Sequence, residues 1–178
     1  MTDTIIKTCP TLEDTIIFVT DSHRGQEDKG GQQYILHVMR VTVNLGINAT
    51  DPERITALLH DVVEDCYQNR EEGLQALRDR GYPEDIVQAV DSVTKRPDEK
   101  GEAGYFRAID RAAANSTGRK VKIADLEDNT LPARNIPPLS AKDQERLNKY
   151  TKAIVHLQRI ELNDVKGRLH NTLTVSQN

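Results

Sequence analysis

Apolar residues recur at helical spacing through most of the chain, and strand-like alternation is scarce. The pattern predicts a first helix over 12–22, opened by a Thr11–Asp14 capping box, with Ile16, Ile17 and Val19 as candidate core positions. A glycine-rich, charged segment over 25–33 reads as a loop. Ile35, Val38, Val41, Val43 and Leu45 then predict a second helix stopped by Gly46, although the Val/Thr cluster over 41–45 leaves a strand open. Asp51-Pro52 supplies a capping side chain and a proline at the first helical position. The helix it starts places Ile55, Leu58, Leu59, Val62 and Val63 on one side, and His60, Asp61, Glu64 and Asp65 away from that stripe.

Farther on, 71–80 reads as a helix closed by Gly81. Pro83 opens another, with Ile86, Val87, Val90 and Val93 on one face. Gly101–Gly104 precedes a helix over 105–114, and Gly118 separates that from a helix over 120–129 bearing Val121, Ile123, Ala124 and Leu126. The prolines within 130–139 predict a connection. Ser140 and Asp143 cap a long helix to about Leu162 that carries Leu147, Tyr150, Ile154 and Leu157. The polar residues 163–178 are expected to form a flexible tail. No repeat, low-complexity tract or linker divides the chain, so it reads as one all-α domain over 1–178, a compact multi-helix bundle with its core over about 12–160.

Aromatic content of 4%, with no tryptophan, favours aliphatic helix packing over an aromatic-rich sandwich. A formal charge of −4 argues against a broad nucleic-acid surface, and a phosphorylated small molecule would have to meet positive charge locally or through a cation. No apolar run approaches the ~20 residues that span a bilayer. The N-terminal residues lack the pattern of a secretory signal. Cys9 and Cys66 are expected to stay free thiols, and the chain is expected to be cytoplasmic. No surface pattern names an oligomeric interface.

The run Ala57-Leu-Leu-His-Asp-Val-Val-Glu-Asp65 carries the strongest chemical signal. Together with His37 and Asp125, the adjacent pair His60-Asp61 makes a set of two imidazoles and two carboxylates on helices. Such an N/O set suits Mn²⁺ and, less selectively, Fe²⁺ or Zn²⁺; two carboxylates neutralise one divalent cation. Glu64 and Asp65 stand one turn beyond the pair, where a base for an attacking water would have to be.

Several blocks in order carry a resemblance: His23-Arg-Gly-Gln, Lys29-Gly-Gly-Gln-Gln-Tyr-Ile-Leu-His37, the 57–65 run, Ser92-Val-Thr-Lys95, and Val121-Lys-Ile-Ala-Asp-Leu-Glu-Asp-Asn129. Over about residues 12–160 the chain resembles the HD-domain phosphohydrolases, specifically the hydrolase domain of the RelA/SpoT alarmone enzymes and their small stand-alone relatives. The synthetase domain of the long enzymes has no counterpart. The resemblance implies one Mn²⁺ held by His37, His60, Asp61 and Asp125, with Glu64 and Asp65 orienting and deprotonating water. It also implies nucleotide contacts by Lys29, Asn129 and Lys95, and removal of pyrophosphate from the 3′ position of ppGpp or pppGpp.

The chain departs from that pattern at several positions. Asp28 stands where the pattern has an arginine against the guanine, Val38 replaces the proline after the ligand histidine, and Leu131-Pro132 replace an arginine and a threonine. Asp125-Leu-Glu-Asp-Asn129 is more acidic than the usual Asp-Arg-Leu-His-Asn. These changes leave open a phosphatase of another nucleotide, such as NADPH or a nucleoside monophosphate. A non-catalytic nucleotide sensor would not need Glu64 and Asp65, and a purely structural domain would leave the four ligand types without a purpose.

Overall fold

The computed structural model describes residues 9–135 and 137–175, with side chains through residue 167. Within these lie nine α-helices: α1 Leu12–Ser22, α2 Ile35–Asn44, α3 Asp51–Leu59, α4 Val62–Cys66, α5 Arg70–Arg80, α6 Glu84–Val93, α7 Gly101–Ala114, α8 Ser116–Thr130 and α9 Ala141–Val175. A 3₁₀ turn, Pro132–Arg134, follows α8. The sole β feature among the described residues is an isolated bridge between Glu27 and Gln33. The architecture is a compact all-α bundle, as the helical spacing predicts.

Local chemistry sets the helix starts. Thr11 Oγ1 accepts the Asp14 N–H at 3.1 Å while Asp14 Oδ2 accepts the Thr11 N–H at 3.0 Å. The cap of α3 is Thr50 rather than Asp51, with Glu53 reaching back to the Thr50 N–H at 2.8 Å. Ser140 and Asp143 cap α9 in the same reciprocal way. Gly46 and Gly81, with φ of +86° and +96°, end α2 and α5 as expected. The 41–45 stretch is helical and not a strand.

Two glycines read as breaks lie inside helices instead. Gly118 sits in the first turn of α8, and a Cβ built there would come within 1.9 Å of Ser92 Oγ on α6. It is a crossing point between two helices. Gly104 lies in α7, where a Cβ would come within 2.4 Å of the Glu99 backbone. The last helix runs past Leu162 to Val175, which replaces the expected tail over 163–175 with helix. Residues 176–178 of that tail, and residues 1–8 where a signal sequence was looked for, fall outside the described residues.

One core joins α1 to α6 around Val19, Val38, Leu58, Leu59, Val62, Leu77, Val87 and Val90. A second, with Ile109, Leu126, Ala153 and Leu157, joins α7, α8 and α9. Each fully buried leucine contributes about 1.5–3 kcal/mol relative to exposure. Ile17, expected in the core, is 63% exposed because it falls on the outer face of α1.

A small third cluster positions the chemistry. Val41 of α2, Ala57 of α3, and Val121 and Ala124 of α8 are all buried against one another. The short alanine side chains let three helices approach closely. This seam lies about one turn from His37, His60 and Asp125 on their respective helices, so it sets the height and spacing of all three. Packed against α2, α3, α6, α7 and α9, α8 is the central helix of the bundle. Its polar residues Arg119, Asp125 and Asp128 are therefore buried too, and each is paired.

Candidate metal centre and adjoining cleft

The stretch 55–65 is two helices and not one. α3 ends at Leu59, His60 and Asp61 form a turn with Asp61 at φ −105° and ψ −7°, and α4 restarts at Val62. His60, at the end of α3, is only 3% exposed, while Glu64 and Asp65 beyond the break remain at the surface. His60 therefore does not share an outward face with Glu64. It faces instead the point approached by His37 from α2 and Asp125 from α8.

His60 Nε2 lies 2.9 Å from Asp61 Oδ2 and 3.9 Å from Asp125 Oδ1. His37 Nε2 lies 3.6 Å and 3.4 Å from the same two oxygens. Donor atoms of His37, His60 and Asp61 all fall within 4.8 Å of one another, a group that could hold a metal ion. Oxygens and nitrogens bound about 2.1 Å from one cation at right angles stand about 3 Å apart, so the observed spacing suits a shared centre.

The hydrogen bonding supports the same fit. His60 Nδ1 donates to Ala57 O at 2.7 Å, which leaves Nε2 as the lone-pair nitrogen. That Nε2 is buried and has no hydrogen-bond partner, even with Asp61 so close. The imidazole and the carboxylate converge on a common point rather than on each other. His37 Nδ1 likewise engages Asp128 Oδ2 at 2.6 Å, freeing its Nε2 toward the cluster. The residues present fit a divalent cation.

The two carboxylates raise both imidazoles above their ordinary range. Burial pulls the His37 imidazole down, but Asp125 and Asp61 outweigh it and push the ring up to about 10. His60 also rises, because Asp61 outweighs its burial. Burial raises Asp61 and Asp125, yet the imidazoles, and Lys122 beside Asp125, hold both below the usual carboxylate range. Coordination needs a bare Nε2, so a cation bound there would compete with the proton that His37 holds.

Four supporting contacts escaped sequence reasoning. Tyr34 donates its hydroxyl to Asp61 Oδ2 at 2.5 Å. Lys122 Nζ donates to Asp125 Oδ2 at 2.7 Å, and Asn129 Nδ2 donates to Asp125 Oδ1 at 2.5 Å. Asp128 holds His37 as described. The available signal was spacing: Tyr34, Lys122, Asp128 and Asn129 each lie three or four residues from a ligand candidate, on the same helical face.

Glu64 Oε2 accepts the Lys95 N–H at 3.2 Å, which ties α4 to the segment after α6. Burial and the nearby carboxylates of Asp61 and Glu64 push Asp65 up to about 6. A cleft of about 1480 Å³ opens beside Glu64. Among the described residues its lining includes Lys29, Lys95 and Glu64 but none of the four ligand candidates, so it begins at the edge of the cluster. Asn129 does not line it and serves Asp125 instead. Lys100, Lys142 and Lys149 add positive charge, whereas Arg70 and Arg96 are both spent on Asp91.

The departure at Asp28 has a structural role. Asp28 Oδ1 accepts the N–H groups of Gly30 and Gln32 at 2.9 and 3.0 Å, closing the loop that carries Lys29. Oδ2 of the same residue faces Arg134 Nε at 3.5 Å. Cys9 and Cys66 are free thiols. No described helix is long and apolar enough to cross a membrane.

No family model matches the chain. It is 33% identical over 154 residues to a GTP pyrophosphokinase of Streptomyces coelicolor, a match covering 84% of this chain and 18% of that protein. It is 27% identical over 167 residues to a guanosine-3′,5′-bis(diphosphate) 3′-pyrophosphohydrolase of Vibrio cholerae, covering 89% of this chain and 23% of the other. A protein of the same name from Aquifex aeolicus is 35% identical over 112 residues, 62% of this chain and 14% of its own length. The chain thus spans about a fifth of the length of such relatives. The chain is therefore similar to one segment of proteins named as GTP pyrophosphokinases or as guanosine-3′,5′-bis(diphosphate) 3′-pyrophosphohydrolases.

Proposed function

We propose that the chain is a divalent-metal-dependent phosphohydrolase of the HD type, a single domain that removes pyrophosphate from the 3′ position of (p)ppGpp. The observation that carries this reading is the convergence of His37 Nε2, His60 Nε2, Asp61 Oδ2 and Asp125 Oδ1, with His60 Nε2 buried and unpartnered. Its substrate rests on relatives whose names specify that nucleotide and that bond.

His37, His60, Asp61 and Asp125 would hold the cation, Mn²⁺ best suiting two imidazoles and two carboxylates, with Fe²⁺ or Zn²⁺ as alternatives. When bound, it supplies Lewis-acid polarisation of phosphorus and a lowered pKa for water. Asp65 accepts the proton of the attacking water; a carboxyl already pushed up to about 6 is a better base near neutrality than an ordinary one. Glu64 shares that edge and orients the water while anchoring Lys95 through its backbone. Lys29 and Lys95 draw the anionic nucleotide into the cleft. Asn129 acts on the substrate only through Asp125.

A second reading has a specific observation behind it. Asp28 puts a carboxylate, occupied by its own loop and Arg134, where the alarmone-hydrolase pattern has an arginine for the guanine. That change favours a different phosphorylated nucleotide, such as NADPH or a nucleoside monophosphate. Purified chain loaded with Mn²⁺ separates the two. Release of pyrophosphate with GDP from ppGpp supports the first, and release of orthophosphate from NADPH or a monophosphate, with ppGpp untouched, supports the second. No turnover of any of them sinks the enzymatic reading. The chain is further proposed to act in the cytoplasm, without a nucleic-acid polymer as partner.

A further inference from the structure

Asp128 is buried completely, yet it lines no cleft and reaches no surface. Its Oδ2 is 2.6 Å from His37 Nδ1 and 2.6 Å from Arg134 Nη1, and its Oδ1 accepts Arg40 Nε at 2.6 Å. Arg134 Nη1 is itself 2.6 Å from His37 Nδ1. Two outcomes compete at that nitrogen. If it carries the proton, it donates to Asp128, and Nε2 keeps its lone pair for the cluster. If it is bare, it accepts from Arg134, and the proton moves to Nε2, where it blocks coordination.

We propose that Asp128 is a positioning residue that decides this competition, holding His37 as the Nδ1–H tautomer so that Nε2 can bind the cation. An ionised carboxylate can only accept, so a bare Nδ1 would set two lone pairs against each other at 2.6 Å, whereas Arg134 Nη1 already donates to Asp128 Oδ2 and does not need Nδ1 as an acceptor. The two guanidiniums keep that carboxylate ionised in a place where an unpaired charge could not survive. Arg134 also reaches Asp28 at 3.5 Å, so the same network fastens the Lys29 loop to the metal ligand. Two departures from the alarmone-hydrolase pattern, Asp28 and Asp128, thus belong to one chain of charges around His37.

This inference rests on the cation site of the proposed function and goes further by naming what orients one of its ligands. The amide of Asp128→Asn has nearly the carboxylate's shape but can present N–H to Nδ1, and Arg134 remains to do the same. Mn²⁺ affinity of the full chain, measured by titration calorimetry, should weaken roughly 10–100-fold in this variant, with helical content by circular dichroism unchanged. In wild-type chain loaded with diamagnetic Zn²⁺, ¹⁵N spectra should show the His37 ring proton on Nδ1, whatever the variant's folding behaviour.

Folded Asp128→Asn with wild-type Mn²⁺ affinity would overturn the inference, as would a His37 Nδ1 without a proton in the Zn²⁺-loaded wild type. Neither result touches the hydrolase reading. A wild-type chain that binds neither metal removes both.

Discussion

Tyr34, the residue that opens α2, and Asp61, the residue that separates α3 from α4, meet through a 2.5 Å hydrogen bond between the Tyr34 hydroxyl and Asp61 Oδ2. The same oxygen faces both imidazoles. Phenolic O–H thus fixes which way the carboxylate of the break points. Burial and the Asp61 charge raise the tyrosine well above its ordinary pKa, so it stays a donor across the useful pH range. Tyr34→Phe should weaken Mn²⁺ binding roughly 10-fold or more. It should cost the metal-free fold no more than about 1.5–3 kcal/mol, the worth of one hydrogen bond to a charge. Calorimetric titration and chemical denaturation read the two effects separately.

The carboxylates of Asp65 and Glu64 should differ in consequence. Asp65→Asn removes the proposed proton acceptor and should lower kcat about 10²–10⁴-fold with metal affinity unchanged. Glu64→Gln keeps a carbonyl oxygen for the Lys95 N–H and should lose less. Equal losses in the two variants, by steady-state kinetics on the substrate found, would reassign the base.

Stability of the metal-free chain should depend on pH in a definite sense. His37 faces Asp61, Asp125, Asp128, His60, Tyr34 and Arg134, and its ring rises from 6.5 to about 10. Its contribution is complete below 6.5 and is lost as pH climbs toward 10. Asp61 and Asp125 are lowered, so theirs is present above 3.8 and lost as pH falls further. Asp65, raised from 3.8 to about 6, works with His37 in this respect. The Tm without metal should therefore fall between pH 6.5 and 9. Added Mn²⁺ should reverse the trend, because cation and protons compete for the same nitrogens and the stabilisation grows with pH. A thermal-melt series with and without Mn²⁺ tests both arms.

The crossing of α6 and α8 should tolerate no added methyl. Gly118→Ala places a Cβ 1.9 Å from Ser92 Oγ and should destabilise by about 1–3 kcal/mol. Adding Ser92→Ala removes the nearest clashing atom and should recover part of the loss. Denaturation of the two variants and their combination measures the coupling.

Much of this protein was legible without coordinates. Apolar residues three and four apart determine a helix whatever lies around it, so the all-α bundle, the Thr11 and Ser140 caps and the Gly46 and Gly81 stops could be read residue by residue. The candidates His37, His60, Asp61 and Asp125 could also be named, because adjacent His and Asp inside an aliphatic run have few other uses. Local spacing misled where a neighbour set the outcome. Gly118 looks like a break until α6 lies against it, and Ile17 looks like core until the bundle leaves its face outside.

Only the tertiary structure decided how the candidate site is held. The break at Asp61, which sets Glu64 and Asp65 apart from the inward face of His60, conflicts with a continuous helical pattern, and side chains from α2 and α8 converge beside it. Arg134 and Asp28 are separated by more than half the chain and come together beside Asp128 only when the fold brings the 3₁₀ turn up to His37. Helical period is a property of consecutive residues, so sequence records it. The pairing of buried charges depends on which helices a fold sets side by side, and no local pattern encodes that.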